Sequence, residues 1–359
     1  MENQEIIFEK KGKIGCVYLA RPGALNALTL NMVKSMYEQL VAWQDDPQIA
    51  AVAVMKQDGR AFCAGGDVKA VVQDIIDTRN GGGTNYAQDM FWHEYRLNHL
   101  IFHYEKPYIA FIDGLCMGGG MGLSAHGHFC VATENTSFAM PEAAIGFFPD
   151  VGGGHFLNKF PRASGVMMGV TGYHANAADA LYTKFATHFV PSYCIEEILN
   201  QLEGADWERS DPIQIAHAII AHYTTPLPEQ SVLAENAEWI ERCFGQDTFA
   251  EMLKALAEEG RTNPFAQDIF AKMQMHSPTS IKLTFQHLKY ARGMAFDDVM
   301  VMEYRISQAC AKNHDFVEGV RALLIDKDQD PNWRPMMLSE VLETDIESYF
   351  AKDGEDLTF

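Results

Sequence analysis

Twice in the N-terminal third of the chain a short apolar run gives way to a glycine-rich turn, and apolar residues then resume at helical spacing. The first case joins residues 50–55 to Phe62-Cys63-Ala64-Gly65-Gly66-Asp67, beyond which Val68, Val71, Val72, Ile75 and Ile76 mark a helix. The second joins residues 108–112 to Cys116-Met117-Gly118-Gly119-Gly120-Met121, where a helix can open over 121–125. Strand, glycine turn and helix start, in that order, restrict the chain to layered α/β architectures. Glycine allows φ > 0 and a close approach of backbone to ligand. The outward N–H groups of a helix start attract negative charge, and two of them converging on one point would hold an oxyanion. Ordinary tight turns are the plain alternative. A phosphate-binding glycine loop is another, but neither turn fits G-x-x-x-x-G-K-[ST] or G-x-G-x-x-G.

Residues 6–9 and 14–19 flank Lys11-Gly12-Lys13, a hairpin signal. From Thr29, a plausible N-cap, Met32, Val33, Met36, Leu40 and Val41 recur at helical spacing. Gly81-Gly82-Gly83 marks a flexible connector, followed by a helix over 86–104 that ends before Pro107. Residues 129–133 and 137–140 read as strands. From Asp211 onward the pattern is almost wholly helical, and Asp315 with Glu318 makes a capping-box start for one late helix. The expected organisation is a layered α/β domain over 1–210 followed by a helical region over 211–359. With 47% hydrophobic and 21% charged residues, a chain of 359 can bury a sizeable core.

Forty-eight acidic against 28 basic residues give a formal net charge of −20. Such a surface repels nucleic-acid phosphates and disfavours anionic membranes, although local cations can still hold a small anionic ligand. The opening MENQEIIFEK carries neither a secretory nor an Arg-rich transit pattern, so a cytoplasmic location is expected. Cys16, Cys63, Cys116, Cys130, Cys194, Cys243 and Cys310 contain no C-x-x-C pair and read as small buried residues in a reducing compartment.

The stretch from Met140 to Gly154 places two acids, Glu142 and Asp150, among apolar and glycine residues. Apolar surroundings raise a carboxyl pKa and suit acid/base work near neutrality, and two unlike environments can divide the roles. The alternative is a pair of turn-capping acids. His99 and His103, and the nearby His126 and His128, suggest zinc. However, His93-Glu94 begins H-E-x-x-H without completing it, so no metal is expected. Cys63 and Cys116 lie close to the glycine turns, but neither motif holds a histidine to activate a thiol.

Ala64-Gly65-Gly66-Asp67, Gly118-Gly119-Gly120 and Met140-Pro141-Glu142 together resemble the enoyl-CoA hydratase/isomerase, or crotonase, superfamily. Arg21-Pro22 with Ala24-Leu25-Asn26-Ala27-Leu28 looks like its first substrate-binding loop. The likeness is closer to the 3-hydroxyisobutyryl-CoA hydrolase group. It is carried by Met117-Gly118-Gly119-Gly120, Phe148-Pro149-Asp150-Val151-Gly152-Gly153-Gly154, Ser277-Pro278-Thr279-Ser280 and Met302-Glu303-Tyr304-Arg305. Asp315-Phe316-Val317-Glu318-Gly319-Val320-Arg321-Ala322 and Ile325-Asp326-Lys327-Asp328 extend it towards the C-terminus.

The resemblance implies a crotonase-like spiral of ββα units with a helical C-terminal region. It implies hydrolysis of a 3-hydroxyacyl-CoA thioester in valine catabolism, with no cofactor, since coenzyme A is part of the substrate. Gly66 and Gly119 would supply the oxyanion amides. Glu142 would be the main catalytic carboxylate, and Asp150 would hold the substrate hydroxyl or orient the attack. Ala64, Gly65, Asp67, Arg21, Leu25, Lys69 and Glu94 would bind substrate. Arg21, Lys56, Arg60, Lys69 and Lys282 are the cations on offer to the coenzyme A phosphates. Hydratases of the superfamily place a second glutamate where this chain has Gly122, which disfavours hydration. An isomerase using Glu142 and a non-catalytic binding protein of the same fold are the alternatives. Relatives assemble as trimers and hexamers, so a homo-oligomer stays open.

Overall fold

The structure, a computed structural model, describes residues 4–227 and 229–359; the first three residues, part of the N-terminal segment read above for a targeting signal, lie outside it. The described residues form two compact units whose segments alternate along the chain. Met1–Gly66, Arg96–Phe138 and Ala175–Val232 make the first; Asp67–Tyr95, Ala139–His174 and Leu233–Phe359 make the second. The division expected at residue 210 falls inside the first unit. The reason is that the helix Pro212–His222 buries Ala216 and Ile220 in the core of that unit's sheet.

In the first unit the expected hairpin pairs Ile6–Lys11 with Ile14–Leu19, Lys11 opposite Ile14. Ile14–Leu19 then runs parallel to Ala51–Lys56, and the sheet continues through Tyr108–Ile112, Phe129–Ala132 and His188–Phe189. A second sheet takes Ala61–Cys63, Leu115–Met117, Ser137–Ala139 and Ala175–Asn176 in order. The hairpin gives both its strands to the first sheet, and each later pass of the chain gives one strand to each sheet, as the expected ββα spiral requires. Parallel strands covered on both faces need unbroken apolar runs, which is how Ala51–Lys56 and Tyr108–Ile112 read. One face presents Ile14, Ala53, Ile109, Phe111 and Val131 to Ile198 and Leu202 of the helix Ile195–Glu203. Each such side chain contributes about 1.5–3 kcal/mol when fully buried.

The second unit is mainly helical. Asp67 caps Val68–Arg79, accepting from the Ala70 amide at 3.4 Å. The connector beyond that helix is tied down by Asp74, whose carboxylate accepts from the Thr84 N–H and O–H at 2.8 Å each and from the Ala87 N–H at 3.1 Å. The Arg79 guanidinium donates to the carbonyls of Ala311, Lys312 and Asn313 at the end of the helix Phe296–Lys312, satisfying acceptors that a helix C-terminus leaves open. Ser164–Thr171, buried along its whole length, packs against Pro278–Ala291. Among the described residues no helix is long and apolar enough to cross a membrane.

One expected cap is corrected. Asp315 is the first residue of the helix Asp315–Val320 and does not cap it. Its carboxylate accepts instead from the Ser277 hydroxyl at 2.6 Å and the Arg334 amide at 2.9 Å, while Glu318 is engaged by Arg321 at 2.8 Å. Tertiary partners outcompete the local cap.

The helix Gly119–Ser124 starts so close to the end of the strand Ala61–Cys63 that a Cβ at Gly120 would lie 2.4 Å from the Cys63 carbonyl oxygen. At Gly23 an added Cβ would meet nothing within 4 Å. Gly120→Ala is therefore expected to lower the unfolding free energy by at least about 2 kcal/mol, read as a lower urea midpoint. Gly23→Ala should stay within roughly 0.5 kcal/mol of wild type in the same titration.

Candidate active site

Both glycine turns belong to the first unit. The parallel pair Ala61–Cys63 and Leu115–Met117 ends with both turns at the same edge. Gly65 has φ +104°, a conformation that favours glycine. A Cβ there would lie 3.5 Å from the Met117 carbonyl oxygen and 3.7 Å from the Gly119 amide nitrogen, so the two turns touch. The Leu28 amide donates to the Gly65 carbonyl at 2.8 Å, a pairing that does not use the Gly66 amide. Gly119 opens the helix Gly119–Ser124, where helix geometry gives its amide no intrahelical acceptor. Gly66 and Gly119 thus present amide groups on neighbouring turns.

The loop carrying Arg21 and Leu25 is held by Asn26, which is buried. Asn26 accepts from the Arg21 amide at 2.8 Å and donates to the Ala61 carbonyl at 2.8 Å. Leu25 and Asn26 both have positive φ, +53° and +56°, and the Ala64 amide donates to the Leu25 carbonyl at 3.0 Å. The first loop is therefore stitched to the first glycine turn.

The carboxylates belong to the second unit. Glu142 begins the 3-10 turn Glu142–Ile145 and is buried, with Oε2 lacking a hydrogen-bond partner. Burial, and then the charges of Asp150 and Glu94, push its pKa well above the ordinary carboxylate value. Asp150 is buried and accepts from the Tyr95 hydroxyl at 2.6 Å. Burial raises its pKa to about 7; the Tyr95 hydrogen bond opposes that rise and the charge of Glu303 adds to it. Glu94 is buried with Oε1 unpartnered, and burial followed by the charge of Asp150 raises its pKa as well. The apolar wall is aromatic: Phe91 stacks on Phe147 at 5.4 Å, and Phe147 meets Phe316 at 4.6 Å.

Other expected contacts are distributed differently. Arg21 pairs with Glu5 at 3.1 Å, Lys56 with Asp113 at 2.8 Å, and Lys282 donates to the Val341 carbonyl at 2.8 Å. Three of the five candidate phosphate cations thus already have protein partners, while Arg60 and Lys69 are exposed. Asp67 caps its helix, as described above. Cys63 and Cys116 are fully buried, and burial pushes the Cys116 thiol far above its usual range, so Cys116 offers no ready thiolate. Among the described residues no cysteine is joined in a disulfide.

Tyr95, His287 and Glu303 are further candidates here that no sequence motif marks as chemical residues. Glu303 accepts from the Gly152 amide at 2.6 Å, the Gly154 amide at 2.8 Å and His287 Nε2 at 3.1 Å. A signal was present: Val299, Glu303, Ile306 and Cys310 form one buried stripe of the helix Phe296–Lys312, so an acid sits at a core position.

The enoyl-CoA hydratase/isomerase family pattern matches residues 14–350. The chain is 42% identical to the mitochondrial 3-hydroxyisobutyryl-CoA hydrolase of Xenopus tropicalis, over 99% of this chain and 90% of that protein. It is 40% identical to the protein of that name from Homo sapiens, over 99% and 91%. Those names are of mitochondrial proteins, which overturns the cytoplasmic expectation. Among solved structures, a carnitinyl-CoA dehydratase from Mycobacterium thermoresistibile superposes with a TM-score of 0.90 at 37% identity, covering 99% of both chains. An enoyl-CoA hydratase from Rhodobacter sphaeroides gives 0.88 at 32%, covering 99% of this chain and 100% of that one. The crotonase-like fold implied by the resemblance is therefore correct. By pattern, identity and fold, the chain belongs to the enoyl-CoA hydratase/isomerase family.

Proposed function

We propose that this protein hydrolyses the thioester of 3-hydroxyisobutyryl-CoA, with 3-hydroxypropionyl-CoA as a second substrate, releasing coenzyme A and the free 3-hydroxy acid in valine catabolism. The observation that carries the reading is Glu142, a carboxyl with one free oxygen whose burial, and then the charges of Asp150 and Glu94, raise its pKa. The relatives named for this activity support it along almost the whole chain.

In the proposed reaction the amides of Gly66 and Gly119 hold the thioester oxygen as it becomes an oxyanion. Each such donor is worth roughly 3–4 kcal/mol of transition-state stabilisation. Glu142 attacks the carbonyl carbon, the C–S bond breaks, and coenzyme A leaves as the thiolate and takes up a proton. Water then hydrolyses the resulting anhydride. In the second version Glu142 removes a proton from water, which attacks directly. Asp150 receives the 3-hydroxyl or orients the attack, beside Glu94. Ala64, Gly65, Asp67, Arg21, Leu25 and Lys69 line the path of the coenzyme A moiety, with Arg60 and Lys69 the cations best placed by exposure to meet phosphate.

The two solved structures named for a dehydratase and a hydratase favour a second reading, carbon–carbon double-bond chemistry on an acyl-CoA. Gly122 speaks against it, because hydration by paired glutamates needs an acid at that position. Release of free thiol from 3-hydroxyisobutyryl-CoA, followed with a disulfide dye, separates the two readings. Discrimination against the substrate lacking one methyl should be modest, roughly 1–3 kcal/mol in kcat/KM.

Glu142→Gln is expected to lower kcat by roughly 10³-fold; wild-type turnover in that variant would remove both versions of the mechanism. A single turnover in ¹⁸O-water should leave label in Glu142 if the anhydride forms and water opens it at the Glu142 carbonyl carbon, whereas trapping of no acyl-Glu142 adduct by hydroxylamine together with an unlabelled Glu142 would select the water route. Because burial raises the Glu142 pKa, its reactive ionised form is lost as pH falls through a point above the ordinary carboxylate range. kcat should fall on acidification with a midpoint displaced upward accordingly.

Stability should show the opposite trend. Asp150 titrates at about 7 in the folded protein, against about 4 when unfolded. Its contribution is fully present below the unfolded value and lost as pH rises through the folded one. Asp150→Asn, neutral throughout, is expected to melt a few degrees above wild type at mildly alkaline pH, with the gap closing by about pH 4. Differential scanning calorimetry across pH measures this.

A further inference from the structure

Glu303 and His287 lie at 0% exposure in the second unit, on the helices Phe296–Lys312 and Pro278–Ala291. An apolar pair of similar volume would suit such a place at least as well, since burying charge is costly. Both oxygens of Glu303 are committed, however: Oε2 accepts from the Gly152 amide at 2.6 Å, and Oε1 accepts from the Gly154 amide at 2.8 Å and meets His287 Nε2 at 3.1 Å. These amides begin two residues after Asp150, in a turn closed by the Gly153 amide donating to the Asp150 carbonyl at 2.8 Å.

The turn is unfavourable by itself. Val151 and Gly152 have φ of +52° and +85°, and a β-branched residue in that region costs about 1–3 kcal/mol unless its surroundings hold it there. Gly154 leaves no room to relax, since a Cβ would lie 2.8 Å from both His287 Nε2 and the Ala291 Cβ. The turn is held on its other side as well: the Asp150 carboxylate takes the Tyr95 hydroxyl at 2.6 Å, and the Tyr95 ring meets that of Tyr304, the neighbour of Glu303, edge-on at 6.3 Å.

We propose that Glu303, backed by His287, is a positioning residue that holds the strained turn after Asp150 and thereby aims the Asp150 carboxylate at the substrate. This rests on the reading that Asp150 works on the 3-hydroxyacyl group. The ionisable groups around Asp150 are Glu94 and Tyr95 on the helix Tyr86–Phe102, Glu142 on its 3-10 turn, and Glu303 and Cys310 on Phe296–Lys312, with His287 behind Glu303. Replacing Glu303 alone removes one negative charge from this set and leaves the rest. A glutamine there has one acceptor oxygen for two amide donors, so it releases part of the turn.

The full-length Glu303→Gln and Glu303→Asp variants are assayed for thiol release from 3-hydroxyisobutyryl-CoA across the neutral pH range, with melting temperatures and Asp150→Asn in parallel. Glu303→Gln is expected to lower kcat by roughly 10- to 100-fold with KM within about twofold. The limb of the pH profile set by Asp150 should move to lower pH, because a neighbouring negative charge no longer opposes its ionisation. Glu303→Asp keeps the charge and should return that limb towards its wild-type position. Wild-type kcat and an unmoved limb in Glu303→Gln would overturn the proposal whatever the melting temperature. Failure of both variants to fold would also overturn it, assigning the pair to the core alone. Wild-type turnover in Asp150→Asn would instead remove the reading of Asp150, an outcome separate from either result at Glu303.

Discussion

Taking a carboxylate out of water costs several kcal/mol unless donors or protonation compensate, and this chain buries Glu94, Glu142, Asp150 and Glu303 in one compact unit. The four meet that cost in different ways. Glu303 collects two backbone amides and a histidine, and Asp150 takes a tyrosine hydroxyl. Glu142 and Glu94 each keep a buried oxygen without a partner and stay protonated well past the ordinary range. The burial that makes these acids costly is thus also what sets their reactivity. The residues that hold Glu303 and Asp150 are the same ones that keep the site from relaxing to a more comfortable arrangement.

Much of this was legible from the residues. The hairpin around Gly12, the strands expected at 50–55 and 108–112 and the Thr29 cap follow from local propensity and apolar runs, and the structure has all of them, the first of these strands one residue later at Ala51–Lys56. The glycine turns, with two glycines in the first and three in the second, were recognisable because each falls between an apolar run and a helical pattern. Glu142 and Asp150 stood out as lone acids in apolar sequence, and burial explains their shifted pKa values. What escaped were features that depend on partners distant in sequence. Asp315 looked like a cap, yet Ser277 and Arg334 claim its carboxylate. Tyr95 is one aromatic among several in its helix, and only the fold brings it to Asp150. Arg21, Lys56 and Lys282 looked like free cations until their acidic and carbonyl partners appeared.

The backbone does as much chemical preparation as the side chains. Gly120 lets the start of its helix come close to the strand that ends at Cys63, and Gly65 holds a torsion that other residues resist. Asn26 fixes the adjoining loop through two hydrogen bonds rather than through packing. The site is built less from a string of reactive residues than from a framework that permits unusual backbone positions.

The alternation of the two units along the chain bears on biosynthesis. The first unit uses nothing beyond Val232, so its sheets can close while later codons are still being read. The second draws on Asp67–Tyr95 and Ala139–His174 yet also needs Leu233–Phe359. During translation, apolar helices such as Ser164–Thr171 must therefore wait on the ribosome for companions that do not yet exist, a window in which a chaperone would find its substrate.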